Sequence, residues 1–294
     1  MALKVTVDVF SGRPNPVLVL EGREEREALA RLRPGRRQAA VPAPLQSFLG
    51  YRGLRFELTG GRRRLPQTFR LWHGILLGEG LGVSASDPGF EAWIMSLRGP
   101  LGRLGLGPAF HERLEAERLR EHPRGGDGDN DDRRERNEGR GKRGRCECAP
   151  LYEPAWWNDG GQRQWGNNCY NYSTNYRSDT FAQPGLGAGA MYATLSCKDV
   201  RAGAVADDLI ADPKANNRCP KEGHLVALVV APGWDFHWYR KGRTGYWSHK
   251  PGGTQATNRD NSGNLIPDPR TADRGPYVDF CTFMVVMHGH IKIQ

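Results

Sequence analysis

The sequence predicts an α+β protein, and three observations carry the prediction. Its 294 residues include 38 Gly and 20 Pro with only 38% hydrophobic residues, below the ~45–50% usual in globular chains, which excludes a bundle of long helices. The stretch from Glu121 to Arg145 (EHPRGGDGDNDDRRERNEGRGKRGR) holds no apolar residue beyond Pro123. It cannot offset the entropy of ordering and reads as a disordered linker. Downstream of it, helical signals come first and strand signals after, without the βαβ alternation of a parallel sheet. The expected organisation is a small α+β accessory domain at 1–120, the charged linker at 121–145, and a second domain at 146–294 in which a Cys-bearing helix packs on an antiparallel sheet.

The elements follow in order. Lys4–Phe10 and Val17–Leu20 alternate as a strand pair around the turn-forming Ser11-Gly12-Arg13-Pro14-Asn15-Pro16. Glu24–Leu32 has helical spacing and stops before Pro34. Gly53–Thr59 and Thr68–Gly74 alternate as strands, Phe90–Leu97 reads as a helix, and Ala109–Arg120 as a charged helix. Past the linker come an aromatic stretch (Leu151–Trp165), a short helix opened by Cys169, a Gly-rich loop (Gln183–Gly189) and a helical stretch (Met191–Leu209). Strands at His224–Val230, Asp235–Lys241, Tyr246–His249 and Phe280–Ile293 complete the order.

Charge and composition exclude several classes of function. The net charge is +9, but the surplus sits mainly in residues 1–120 and forms no basic stripe interleaved with aromatics, so nucleic-acid binding is not expected. No run approaches the ~18 apolar residues of a membrane helix, and the first ten residues alternate like a strand, unlike a secretion signal. The expected setting is therefore cytoplasmic, with export by a non-Sec route as the other option. Six cysteines (Cys146, Cys148, Cys169, Cys197, Cys219, Cys281) would be thiols in that compartment. Cys146-x-Cys148 lacks zinc-knuckle spacing, and neither it nor His288-x-His290 makes a metal site, so no metal or organic cofactor is expected.

Two segments suggest chemistry. In Gln164-Trp165-Gly166-Asn167-Asn168-Cys169, turn residues deliver a thiol to a helix start, where free amides and the helix dipole favour the thiolate. Gln164 or Asn168, with the Cys169 amide, would hold an oxyanion. In Gly223-His224-Leu-Val-Ala-Leu-Val-Val230, a His leads an apolar strand and serves as the base for Cys169. A turn centred on Pro232-Gly233 puts Asp235 and His237 on the His224 face, so either could orient the imidazole. His237 then pairs with Leu228, ~13 Å along the strand from His224, and contact requires a bulge or a longer turn. Trp156, Trp157, Trp165 and Trp238 would line a cleft or fill the core.

These residues resemble the NlpC/P60 and CHAP families of papain-like thiol hydrolases. That resemblance implies a papain-like domain at 146–294, an amidase or peptidase with a peptide or peptidoglycan-like substrate, and Cys169, His224 and His237 in catalytic roles. Asn168-Cys169-Tyr170 departs from the signatures of those families. A second likeness spans most of 146–294: Tyr152-Glu-Pro-Ala-Trp-Trp-Asn-Asp-Gly160, Asn167-Asn-Cys-Tyr-Asn-Tyr172, Thr180-Phe-Ala-Gln-Pro-Gly185 and Trp247-Ser-His-Lys-Pro-Gly252 resemble the insoluble matrix shell protein family and its bacterial relatives. It implies the alternative, a non-catalytic carbohydrate- or peptide-binding or matrix module. The extracellular setting of that family also reopens the disulfide question.

Overall fold

Alternation of apolar and polar residues builds the first of two antiparallel sheets. The computed structural model describes residues 2–37, 47–59, 65–78, 81–85, 87–120, 146–211 and 216–294. Strands β1 (Ala2–Val7) and β4 (Leu54–Thr59) place Val5 opposite Phe56 and Leu3 opposite Leu58. Phe56 in turn stacks on Phe69 of β5 (Thr68–Trp72), with ring centroids 4.8 Å apart, so cross-strand apolar pairs fix the register. The strand expected at Thr68–Gly74 ends at Trp72, because His73 and Gly74 both take positive φ in a two-residue turn into β6 (Ile75–Gly78). With β2 (Val17–Glu21), β3 (Pro34–Arg37) and β7 (Leu81–Ala85), the order is β2-β1-β4-β5-β6-β7-β3. The last three strands in that order were not legible as strands in the sequence. Helices α1 (Gly22–Arg31), α2 (Phe90–Met95) and α3 (Pro108–Leu119) accompany this sheet.

Asp8 is buried in this unit against Arg52 at 2.6 Å and Arg70 at 2.7 Å. Burial opposes its ionisation, but the two guanidiniums win and hold the carboxyl well below the usual carboxylate range.

The second sheet has the order β11-β10-β9-β12-β8, from β8 (Ile210–Ala211), β9 (His224–Ala231), β10 (Asp235–Lys241), β11 (Trp247–His249) and β12 (Asp279–Val286). Every residue of β9 is buried, which is why it reads as a continuous apolar run. Short helices α4 (Pro154–Trp157), α5 (Gln162–Trp165) and α6 (Cys169–Thr174) precede it, with α7 (Cys197–Ala206). The long helical stretch expected at Met191–Leu209 shrinks to α7 because the Ser196 side chain caps it, accepting from the Asp199 amide. Cys169, Tyr170, Val200, Val226, Leu228, Val230, Phe236 and Trp238 form the core.

The chain divides into two compact units: Met1–Val9, Asn15–Leu45 and Gly50–Glu121 in one, and Phe10–Pro14, Gln46–Leu49 and His122–Gln294 in the other. Short segments that precede residue 120 thus belong to the second unit. The charged stretch 121–145 lies outside the described residues.

The cysteines depart from the reduced state expected of a cytosolic chain. Disulfides join Cys146 to Cys219 and Cys197 to Cys281, with Cα atoms 5.2 Å apart in each. Cys148 is free and exposed, and Cys169 is free and buried.

Candidate functional site

The register of one strand pair decides what meets what. Residue 235 of β10 pairs with 231 of β9, 237 with 229 and 238 with 228, one residue away from the register expected for a turn centred on Pro232-Gly233. A one-residue slip flips every side chain. Phe236, Trp238 and Arg240 therefore share the His224 face, and Asp235 and His237 lie on the other.

His224 is buried at the far end of α6 from Cys169. Its Nε2–H donates to the carbonyl of Ser173, at 2.7 Å, four residues after Cys169 and so ~6 Å along the helix axis. Its ring stacks on exposed His288 with centroids 5.0 Å apart, and its Nδ1 has no partner among the described residues. Burial pushes its pKa down to about 3, with the Ser173 carbonyl pulling the other way and the Arg240 charge adding to the fall. The imidazole is therefore neutral at pH 7.

Cys169 has no exposed surface. The amides at the helix start do not face the thiol: Asn168 Oδ1 accepts from Tyr170 and Asn171, and Asn171 Oδ1 accepts from the Asn168 amide, closing a capping box. Burial pushes the thiol pKa up, and the nearby Asp235 charge adds to it, against the pull of the Trp238 amide and the Ser11 hydroxyl. The Asn168 amide group donates to the carbonyls of Gly12 and Ala182 at 2.6 and 2.7 Å. Gln164 Oε1 accepts from Gly160. Trp165 is half-buried with its indole N–H on the Gly160 carbonyl, and Trp238 is inside the core, 5.4 Å from Tyr170. The Asn168 side-chain amide is thus spent on backbone partners at both of its atoms, and Gln164 Oε1 on the Gly160 amide.

What the structure assembles instead runs through Ser11, a residue the sequence analysis left in a turn. Ser11 Oγ lies 2.5 Å from His237 Nδ1, His237 Nε2 lies 2.8 Å from His249 Nδ1, and His249 Nε2 lies 2.8 Å from the carbonyl of Arg259. A carbonyl only accepts, so the chain has one direction. His249 Nε2–H donates to Arg259, His237 Nε2–H donates to His249, and the Ser11 hydroxyl donates to His237. Burial pushes the His249 pKa down to about 4. Asp235 anchors the loop beneath: its carboxylate accepts from the amides of Ser11, Gly12 and Arg13 and from the Tyr277 hydroxyl, at 2.5–3.3 Å. Gly12 is required there because a Cβ would sit 2.5 Å from the Phe236 ring and carbonyl. Lys250 adds a third closed group, its buried ammonium donating to the carbonyls of Gln164, Asn167 and Gly252 at 2.5–2.7 Å.

Chemically, a hydroxyl followed by two imidazoles has the parts of a proton relay. Ser11, Cys169, His237 and His249 have no exposed surface, so no substrate reaches them in this state. Among the described residues no group of three or more His, Cys, Asp or Glu is placed to hold a metal, and no helix is long and apolar enough to cross a membrane. Ser11 and Tyr277 carried no motif. His249 was visible only within the Trp247–Gly252 likeness.

The fold and this closed polar ladder define a disulfide-stapled α+β domain. The chain belongs to the insoluble matrix shell protein family. It is 47% identical over 142 residues to insoluble matrix shell protein 1 of Ruditapes philippinarum, a match that covers 47% of this chain and 91% of that protein. No family model matches the chain, and no solved structure matches it. The relative bears the name of a shell matrix protein, which overturns the expectation of an NlpC/P60- or CHAP-like cysteine peptidase or amidase.

Proposed function

We propose that the chain is a non-catalytic extracellular matrix module, which adheres to an insoluble solid rather than turning over a substrate. The observation that carries this reading is the 47% identity across 91% of a shell matrix protein. Two further features support it. Two disulfides fit an oxidising setting outside the cytoplasm. Trp156 is 45% exposed, with the Arg163 guanidinium 4.3 Å from its ring centroid, and such a braced aromatic offers a flat face to a sugar ring or a peptide.

Co-sedimentation tests the reading. The protein is mixed with insoluble chitin or with calcium carbonate, pelleted and washed. Retention on either solid is expected, and Trp156→Ala should weaken retention on chitin about tenfold, the ~1.4 kcal/mol of one stacking contact. Complete recovery in the supernatant with both solids refutes the proposal.

A further inference from the structure

Two cysteines share one turn of the second unit, and a third is bridged to it. Cys146 is bridged to Cys219, and Cys148 is free and exposed. The turn Cys146–Ala149 is closed by the Ala149 amide donating to the Cys146 carbonyl at 2.9 Å. Cys148 Sγ lies 3.4 Å from the carbonyl oxygen of Lys221, two residues past Cys219. The free thiol is thus two residues from one bridged cysteine in sequence and in contact with the chain two residues past the other. Access is graded across the array: Cys148 is exposed, Cys219 half-buried and Cys146 buried. An outside thiol meets Cys219 first, and Cys146 is then the leaving group. The second bridge, Cys197–Cys281, has no such neighbour, since the remaining free thiol, Cys169, is inside the core.

We propose that Cys148 is the attacking thiol of a thiol–disulfide exchange that joins copies of this chain covalently. The Cys148 thiolate of one copy attacks the Cys219 sulfur of another, forming a Cys148–Cys219 disulfide as the Cys146–Cys219 bond breaks. The electron pair leaves on Cys146, whose thiolate takes up the proton that Cys148 released, so nothing is oxidised or reduced overall. The acceptor keeps its own free Cys148 and can attack a third copy, so growth needs no oxidant. Exchange within one copy would merely trade Cys146 for Cys148. The intact bridge holds its partners at an effective concentration of ~mM or more. Joining of copies therefore prevails only where chains are packed comparably densely, a condition that rests on the matrix reading above.

The test uses the full chain in two forms. An isotope-labelled acceptor has Cys148 alkylated in the native state, and an unlabelled donor does not. They are mixed at concentrations up to ~1 mM and about pH 8, without oxygen or reductant, and quenched with acid. Expected are oligomers that reductant dissolves, a yield that climbs with concentration, and a peptide joining unlabelled Cys148 to labelled Cys219. Cys148→Ser in the donor should lower the yield about tenfold or more. Monomer at every concentration, junctions through Cys197 or Cys281, junctions between two Cys148 residues, or an undiminished yield from Cys148→Ser each overturn the proposal. Retention of the Cys148→Ser protein on chitin or calcium carbonate is measured in parallel. Retention without oligomers from the unmodified chain sinks the exchange alone, whereas loss of retention by the unmodified chain sinks the matrix reading.

Discussion

Acidification should unfold the second unit through its buried neutral histidines. His224 and His249 have pKa values pushed by burial from 6.5 to about 3 and about 4. Both values lie below the unfolded value, so on acidification the unfolded chain takes up protons that the folded chain refuses. Stability is then fully present above pH 6.5 and is lost as pH falls toward 4 and 3. At ~1.4 kcal/mol per unit, each histidine forfeits about 3 kcal/mol by pH ~4, or about 6 kcal/mol together. That is comparable with the whole stability of a typical domain, ~5–15 kcal/mol. Buried Asp207 and Asp235, whose carboxyls burial raises, recover part of this as they protonate. The geometry adds a reason for His249. A proton on its Nδ1 would confront the His237 Nε2–H, so His237 would have to switch tautomer and the Ser11 hydroxyl turn to accept. Thermal melts of the oxidised protein between about pH 7 and pH 4 measure the effect, and a fall of roughly 12–24 °C is expected at ~2–4 °C per kcal/mol. His224→Phe should lower the melting temperature at neutral pH, because it leaves the Ser173 carbonyl without its donor, and should roughly halve the steepness of the fall. A melting temperature flat from pH 7 to pH 4 refutes the reasoning.

Alkylation of the native protein with iodoacetamide should label Cys148 and leave Cys169 untouched until denaturant is added, as peptide mapping will show, because only the first is exposed. Replacing Cys197 and Cys281 together by Ala opens a bridge spanning 84 residues and should cost ~4–5 kcal/mol in a denaturant titration. Lys250→Met leaves three buried carbonyls without their donor. At ~1 kcal/mol or more each it should cost about 3 kcal/mol, measured as a lowered denaturation midpoint at unchanged slope. Gly12→Ala should destabilise the loop at Asp235 and lower the melting temperature without altering retention on an insoluble solid, since the added Cβ meets the Phe236 backbone.

What the sequence determined by itself is local or periodic. Alternation within Lys4–Phe10 and Gly53–Thr59 sufficed for β1, which ends at Val7, and for β4, the apolar run behind His224 for β9, and the Asn-Cys junction for the start of α6. The α+β class followed from the order of those signals. Tertiary structure decided the rest. The face on which His237 lies depends on a single residue of register across the β9–β10 turn, which a period-2 pattern cannot fix when both faces of both strands are buried. The environment of Cys169 depends on burial and on Ser11, a residue 158 positions away in sequence. Disulfide partners separated by 73 and 84 residues leave no trace in spacing. Of the groups that suggest a hydrolase in one dimension, His237 becomes, when folded, part of a closed ladder with Ser11 and His249, while Cys169 and His224 are buried outside it. Sequence supplies reactive groups, but whether they face water or each other is set by long-range packing, which alone determines their solvation and hence their protonation.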